Sequence, residues 1–580
     1  MVRICVVLAA ALAACGPSKV SHDGGNAGGD GASDQDSGPL PHTLVSLSVT
    51  PTDQLIEVDL NAPTTQAYMV TARYADNTTE DVTAQVAWTV MNPAVGAFTS
   101  ATLGIPGFTT ATAVTSKLTA SFNNVDGLAQ VTVVAHRPQD FFFILPYNDT
   151  NGPQNKPLNF ATAIPALDVF FLMDTTGSMS GEIQNLKNTL TGTVLPGIQT
   201  AVANSQFGVG SMADFPINPY GNTSTDGSGC PATDQPFVLK QTITGTTASI
   251  VSAVGTLSNG STTMSCGNDL AEGGLEPIYQ AATGTGLSSP APTNVPANHT
   301  GVGGVGFRTG TMPVIVAITD AMSHGVGETA TCTINSTTYT TAYAGSVATV
   351  AHSRAQTKTA LGGICARVVG IAATPNGVPD ACTGHEYLSD LASNTGALVP
   401  PAAWDVGTRP TGCASNQCCT GLNGVGEAAN AQGLCPVVFR ATYQGTGVGA
   451  SVVTGIQMLT RFATFDVTRV PMGVATDING NPLPNGHTTA DFLKSITPSS
   501  FVLPPPPPNL PNPTFDTTTF HNVTPGTQVG FTVDAFNDFV MQTDQAQIFH
   551  ATIQVLAGGC TPLDQRDVLI LVPPTPVVIN

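Results

Sequence analysis

Val169-Phe-Phe-Leu-Met173-Asp174-Thr175-Thr176-Gly177-Ser178-Met179-Ser180 is the stretch on which the fold turns. Its apolar first half shows no polar alternation, so it reads as a strand buried on both faces, as in a parallel sheet enclosed by helices. An Asp ends the run, hydroxyl residues and a Gly follow, and a helical stripe then begins near Ser180 with Ile183, Leu186, Leu190 and Val194. A strand that passes into a helix through Asp174, Thr176 and Ser178 places their oxygens at the C-terminal end of a sheet, where open α/β sheets hold ligands. Carboxylate with hydroxyls is hard-oxygen chemistry, suited to Mg²⁺, Mn²⁺ or Ca²⁺ and not to zinc.

Further strands of the same kind are Phe207-Gly-Val-Gly-Ser-Met212, Val314-Ile-Val-Ala-Ile318 and Val368-Val-Gly-Ile371, and residues 342–361 read as a second helix. The expectation is a multidomain chain whose residues 167–402 form a doubly wound α/β domain. Two more acidic motifs fall in that span. Gly267-Asn268-Asp269-Leu270-Ala271-Glu272 is one, and Thr319-Asp320, just past a strand, is the other. Ser, Thr and Asp also cap helices without any metal, but Glu272 and Asp320 in the same register set this trio apart.

With three motifs in order, the segment resembles a von Willebrand factor type A domain, and more particularly the metal-binding domain of integrin β subunits. The resemblance implies an adhesion-type metal site for Mg²⁺ or Mn²⁺ at Asp174, Thr176, Ser178, Glu272 and Asp320. It also implies a neighbouring Ca²⁺ site at Asp214, Asn268 and Asp269, with Asp214 lying in Gly208-Val-Gly-Ser-Met-Ala-Asp214-Phe-Pro216. The chain departs from the family pattern in three places. One residue is missing between Asn268 and Asp269, Ala271 replaces a proline, and Glu182 is the one acidic residue at a third site where the family has two. His324 reads as a solvated loop histidine, outside the ligand set.

Outward from this segment, residues 43–135 show short alternating strands and read as an all-β sandwich. Tyr74-Ala-Asp-Asn-Thr-Thr-Glu-Asp-Val-Thr83, with Trp88 as the expected core anchor, resembles the bacterial immunoglobulin-like group 2 family. Residues 136–166 form a strand-rich connector, in which Asp140-Phe-Phe-Phe-Ile-Leu145 is expected to pair with the C-terminal strands, making the α/β domain an insertion. Residues 403–436 are Cys-rich, and 437–580 return to a β pattern. Asp477-Ile-Asn-Gly-Asn-Pro lacks the later acidic ligand of a calcium loop and reads as a hairpin turn, while Pro504 to Pro508 read as a stiff connector.

At the N-terminus, Met1-Val-Arg3 and an apolar run to Ala14 have the layout of an export signal, 1–14, and Leu12-Ala-Ala-Cys15 resembles a bacterial lipobox. Cys15 would then carry the lipid, and the Gly-, Ser- and Asp-rich segment 15–42 would be a flexible linker. Apart from Cys5 and Cys15, ten of the 12 cysteines remain, an even number expected to form disulfides outside the cytoplasm.

Charge narrows the function classes. Among 580 residues, 18 Lys and Arg stand against 38 Asp and Glu, a formal charge of −20 that repels a phosphate backbone and excludes nucleic acid as a partner. The expected function is that of a lipoprotein of the cell envelope, held at the outer membrane or cell surface, that binds an acidic protein partner through its metal. Two rivals are a passive envelope scaffold and a haloacid dehalogenase-like phosphotransferase. The latter needs a second Asp two positions after the first, where this chain has Thr176. No enzyme activity is therefore expected.

Overall fold

The computed structural model describes residues 41–258, 266–374, 377–505, 510 and 512–576. The signal segment, Cys15, nearly all of the linker and residues 506–508 lie outside the described residues.

A six-stranded sheet forms the centre of the molecule. Its order is Val238–Thr244, Ser205–Met212, Leu167–Asp174, Met312–Thr319, Arg367–Thr374 and Val438–Thr442. Every neighbouring pair is parallel except the outer hairpin of Val238–Thr244 with Ser205–Met212. Phe171 stands opposite Val209 on one side and Val316 on the other, so the strand Leu167–Asp174 is enclosed in the middle. Each residue of that strand and of Met312–Thr319 is buried, as the unbroken apolar runs require. Two acids break the run: Asp174, at its end, and Asp168, whose buried carboxylate accepts from the Arg308 amide at 2.6 Å, from Arg308 Nε at 2.8 Å and from Thr311 at 3.0 Å.

The stripe that opens near Ser180 is helical throughout, as Ser180–Thr189, a π-turn Leu190–Val194 and Leu195–Ala201, with Ile183, Leu186, Leu190 and Val194 all buried. The second helix is shorter than its sequence suggested. The α-helix is Arg354–Gly363, started by a capping box between Ser353 and Gln356, with a short 3-10 turn at Val347–Thr349 before it. Upstream, Gly345 takes a left-handed φ of +61°, and Tyr343, Val347 and Ala351 pack on Phe215 and Tyr220 instead.

Two further differences concern the end of the α/β part. Val438–Thr442 reads in the sequence as part of the C-terminal β region, yet it pairs in parallel with Arg367–Thr374, Ile371 standing opposite Phe439. Its apolar run has the same two-face burial as the other sheet strands. After it comes a helix, Val448–Phe462, which packs along the Ser180–Thr189 helix and buries Val452, Ile456 and Leu459. The intervening Cys-rich segment is stapled by Cys413–Cys419 and Cys418–Cys435.

The β strands on either side of this block belong together. Phe141–Ile144 pairs in parallel with Thr561–Val572, and Gln154–Ala161 pairs antiparallel with Gln528–Ala535. These pairings place the α/β block between strands of one β structure. Phe520 of its six-stranded sheet meets Phe531 of its three-stranded sheet edge-on at 5.2 Å, so the two sheets share a core. Cys365–Cys560 ties the block to it covalently.

The N-terminal strands, from Leu44–Thr50 to Val125–His136, enclose a separate core around Val70, Leu103, Leu118 and Val131. Trp88 is half-buried at its rim, stacked on Phe98 at 4.1 Å, and is not the central anchor. Asp477 closes a turn with Asn481 across Gly480, as a hairpin should. Among the described residues no helix is long and apolar enough to cross a membrane.

Candidate metal centre

Parallel pairing of Leu167–Asp174 with Met312–Thr319 brings the two strand ends side by side. Thr319 Oγ1 donates to Asp174 Oδ2 at 2.7 Å. The Thr176 amide and hydroxyl donate to Asp174 Oδ1 at 3.0 and 2.8 Å, so the carboxylate is held from both sides. Asp320 follows Thr319 directly, only 6% exposed, and takes a hydrogen bond from the exposed Ser178 hydroxyl.

Glu272 arrives from a loop far away in sequence and is fixed by its main chain. Its amide donates to Met322 O at 2.9 Å and its carbonyl accepts from the His324 amide at 2.7 Å, a short parallel bridge against the loop that carries Asp320. Gly267 makes room for the Glu272 side chain. A Cβ at that position would lie 2.5 Å from Glu272 Oε1, and its φ of +68° is one that glycine alone adopts freely. The Cys266 carbonyl accepts from the Gly177 amide at 3.2 Å, and the Cys230–Cys266 disulfide anchors this crossing. Three segments thus meet at one end of the sheet, each locked to the next through its backbone.

The electrostatics of the meeting place are unbalanced. Burial pushes the Asp174 carboxyl up, against the three hydrogen bonds it accepts, and the Asp214 charge adds to this. Burial and then Asp174 raise Asp320 to about 7. Glu272 is lifted well above the carboxylate range by burial and then by Asp174, Asp214, Asp269 and Asp320. Glu182, fully buried in the first turn of the following helix, rises to about 8 from burial and then Asp320 and Asp174. Among the described residues, no Lys, Arg or His stands within ion-pair distance of Asp174, Glu182, Glu272 or Asp320.

Glu272 Oε2 is buried without a hydrogen-bond partner, and so are Asp269 Oδ1 and His324 Nε2 at the neighbouring position. Buried acceptors in native proteins are nearly always satisfied, so an orphaned carboxylate oxygen here is a place for a donor or a cation. Asp174, Glu272 and Asp320 come from three segments at this end of the sheet, but among the described residues their carboxylate oxygens do not all lie within 4.8 Å of one another, as the donor atoms of Asp214, Asp269 and His324 do.

The neighbouring position is built differently. Asp214, fully buried, and Asp269, part-buried, do come together, but the residue between them is His324. The ring is fully buried, not solvated as its sequence position suggested, with Nδ1 2.6 Å from Asp214 Oδ2 and Nε2 3.4 Å from Asp269 Oδ2. Burial alone would lower its pKa, but the two carboxylates outweigh it and raise it to about 9. Asn268 is exposed, with its side-chain amide donating to Pro219 O at 3.1 Å. Nothing in the local sequence around His324 announces this role, because its partners lie in loops remote from it in the chain.

Comparison with curated proteins finds no match. Among solved structures, the pilus adhesin SpaC from Lactobacillus rhamnosus GG, in its open conformation, aligns over 74% of this chain at 12% identity with a TM-score of 0.26. The chain spans about half of that adhesin, 49% of its length. Residues 161–287, which carry Asp174, Thr176, Ser178, Asp214, Asn268, Asp269 and Glu272, match the family described as the integrin beta chain VWA domain.

Proposed function

We propose that the chain is an envelope protein whose doubly wound von Willebrand A-like domain binds an acidic group on a partner protein through a divalent cation, Mg²⁺ or Mn²⁺. Asp174, Thr176, Ser178, Glu272 and Asp320 would hold the ion. The carrying observation is the buried, unpartnered Glu272 oxygen among carboxylates that no nearby base neutralises. When bound, such an ion offers an incoming carboxylate a point of attachment on an otherwise anionic face. The residues do the rest. Asp174 is immobilised by Thr176 and Thr319, Glu272 by its backbone bridge, and the loop with Cys230 and Tyr220 borders the site and would set which partner fits.

In this reading Cys15 anchors the protein by lipid at the outer membrane or cell surface, residues 43–135 are an Ig-like spacer, and no reaction is catalysed. Thr176 supports the last point, since it occupies the place where a phosphotransferase would carry its acid, and its hydroxyl is spent on Asp174.

The test is calorimetric titration of Mg²⁺, Mn²⁺ and Ca²⁺ into the exported chain and into its Asp174→Ala variant. Saturable binding that vanishes in the variant supports the reading. Equal binding in both, or none in either, leaves a scaffold.

A further inference from the structure

We infer that the neighbouring position is a nitrogen–oxygen metal site, in which His324 Nε2 and the Asp269 carboxylate bind a divalent ion of the zinc class while Asp214 aims the ring. The inference goes beyond the proposed function and does not depend on it, since the two positions share no ligand. It also departs from the calcium set that the sequence suggests. An imidazole takes the part expected of Asn268, whose side chain faces solvent and donates to Pro219 O.

Donor atoms of Asp214, Asp269 and His324 lie within 4.8 Å of one another. His324 has no solvent exposure, yet its Nε2 makes no hydrogen bond, and Asp269 Oδ1 is buried without a partner as well. Two facing buried polar atoms left unsatisfied cost stability unless something lies between them. The gap has the size of an ion. Nε2 stands 3.4 Å from Asp269 Oδ2, and two ligands about 2.0–2.1 Å from a tetrahedral ion are about 3.3 Å apart.

The ring is held for this task. Asp214 Oδ2 meets Nδ1 at 2.6 Å, and Asp214 Oδ1 accepts from the Tyr343 hydroxyl at 2.5 Å and from the Phe215 amide at 2.6 Å. The carboxylate that orients the ring is thus itself oriented. Tyr220 meets the ring edge-on at 4.9 Å and Tyr343 stacks on it at 4.9 Å. Metal-binding histidines are commonly fixed in this way, by a carboxylate on the ring nitrogen that does not touch the ion. The Asp269 side chain is 20% exposed, so an ion and its waters have a way in.

Ligand chemistry sets the class of ion. Imidazole suits Zn²⁺, Ni²⁺ or Cu²⁺, whereas the carboxylates and hydroxyls of the central set suit Mg²⁺ or Mn²⁺. An ion here would also brace Glu272 from two directions. The His324 amide donates to the Glu272 carbonyl at 2.7 Å, and Asp269 precedes Glu272 in the same loop.

The test is calorimetric titration of Zn²⁺, and separately of Ca²⁺, into the protein held in excess Mg²⁺, for wild type, Asp174→Ala and Asp269→Ala. One Zn²⁺ per chain is expected, kept in Asp174→Ala and weakened more than about 100-fold in Asp269→Ala, beyond the cost of losing an orienting partner. X-ray absorption of the zinc-loaded wild type should show imidazole in the coordination shell, which needs no variant to fold. No saturable Zn²⁺ binding, binding unchanged in Asp269→Ala, Ca²⁺ bound more tightly than Zn²⁺, or a shell without imidazole each overturns the inference. Titration of Mg²⁺ alone reads the central site, so failure of that reading is seen separately.

Discussion

Stripped of divalent cations, the protein should lose stability as the pH rises, and cations should restore it. Asp320 carries the clearest lever, because its carboxyl is raised from the ordinary 3.8 to about 7 by burial and by Asp174. Between those two values the unfolded chain has released the proton and the folded chain still holds it. The unfolded state therefore binds fewer protons, and stability must fall as pH rises through that window. From pH 5 to pH 7 this is about 2 pH units at about 1.4 kcal/mol each, or about 3 kcal/mol from Asp320 alone. Glu182, raised to about 8, and His324, raised to about 9, act in the same direction over overlapping windows. For a domain of this size, about 3 kcal/mol corresponds to a melting temperature lower by roughly 6–12 °C. The assay is calorimetric or circular-dichroism melting in EDTA at pH 5, 6, 7 and 8, repeated with excess Mg²⁺ or Mn²⁺. The slope should be shallower in Asp320→Asn, which has no proton to lose, and cations should raise the wild type most at pH 8. A melting temperature in EDTA that stays level or climbs from pH 5 to pH 8 would refute the reasoning.

Other perturbations test the supports of the site and of the fold. Gly267→Ala places a methyl against Glu272 Oε1 in a left-handed backbone, costing about 1–2 kcal/mol and lowering cation affinity by about tenfold in titration calorimetry. Replacing Cys230 and Cys266 by Ser opens a loop of 36 residues, worth about 4 kcal/mol in chain entropy. Urea unfolding should read a loss near that figure, with cation affinity reduced because Cys266 anchors Gly177. Arg308→Ala strands the buried Asp168 carboxylate and should cost about 3 kcal/mol in the same assay. Truncation after Phe462 removes the partners of Phe141–Ile144 and Gln154–Ala161. Such a chain should lose protease resistance in residues 141–161 while the α/β block retains its helical circular dichroism.

The central strands were legible because a strand buried on both faces leaves an unbroken apolar run, as Val169 to Met173 and Val314 to Ile318 both show. The same signature stands in Val437-Val-Phe, but the Cys-rich segment before it hides that this run rejoins the sheet. The Val448–Phe462 helix was obscured differently. It opens through Gly445, Gly447 and Gly449, residues that read as a loop, and the close approach of Gly449 to Thr189 and of Gly455 to Val369 is what makes glycine necessary there. Residues 342–361 show the converse, an alanine-rich segment of helical composition in which packing of Tyr343 and Val347 on Phe215 and Tyr220 overrides propensity.

The site divides along the same line between local and remote information. Asp174, Thr176 and Ser178 are readable because strand, turn and helix follow one another in a single stretch, and the order of motifs extends the reading to Glu272 and Asp320. His324 is unreadable by that route, since Asp214 lies 110 residues away and Tyr220, Tyr343 and Asp269 each come from a different loop. Its consequence for the chemistry is a division of labour between charges. The carboxylates of Asp214 and Asp269 face the His324 ring at 2.6 and 3.4 Å. Those of Asp174, Glu272 and Asp320 have no such base, so the uncompensated charge of the cluster is concentrated where Ser178 is exposed.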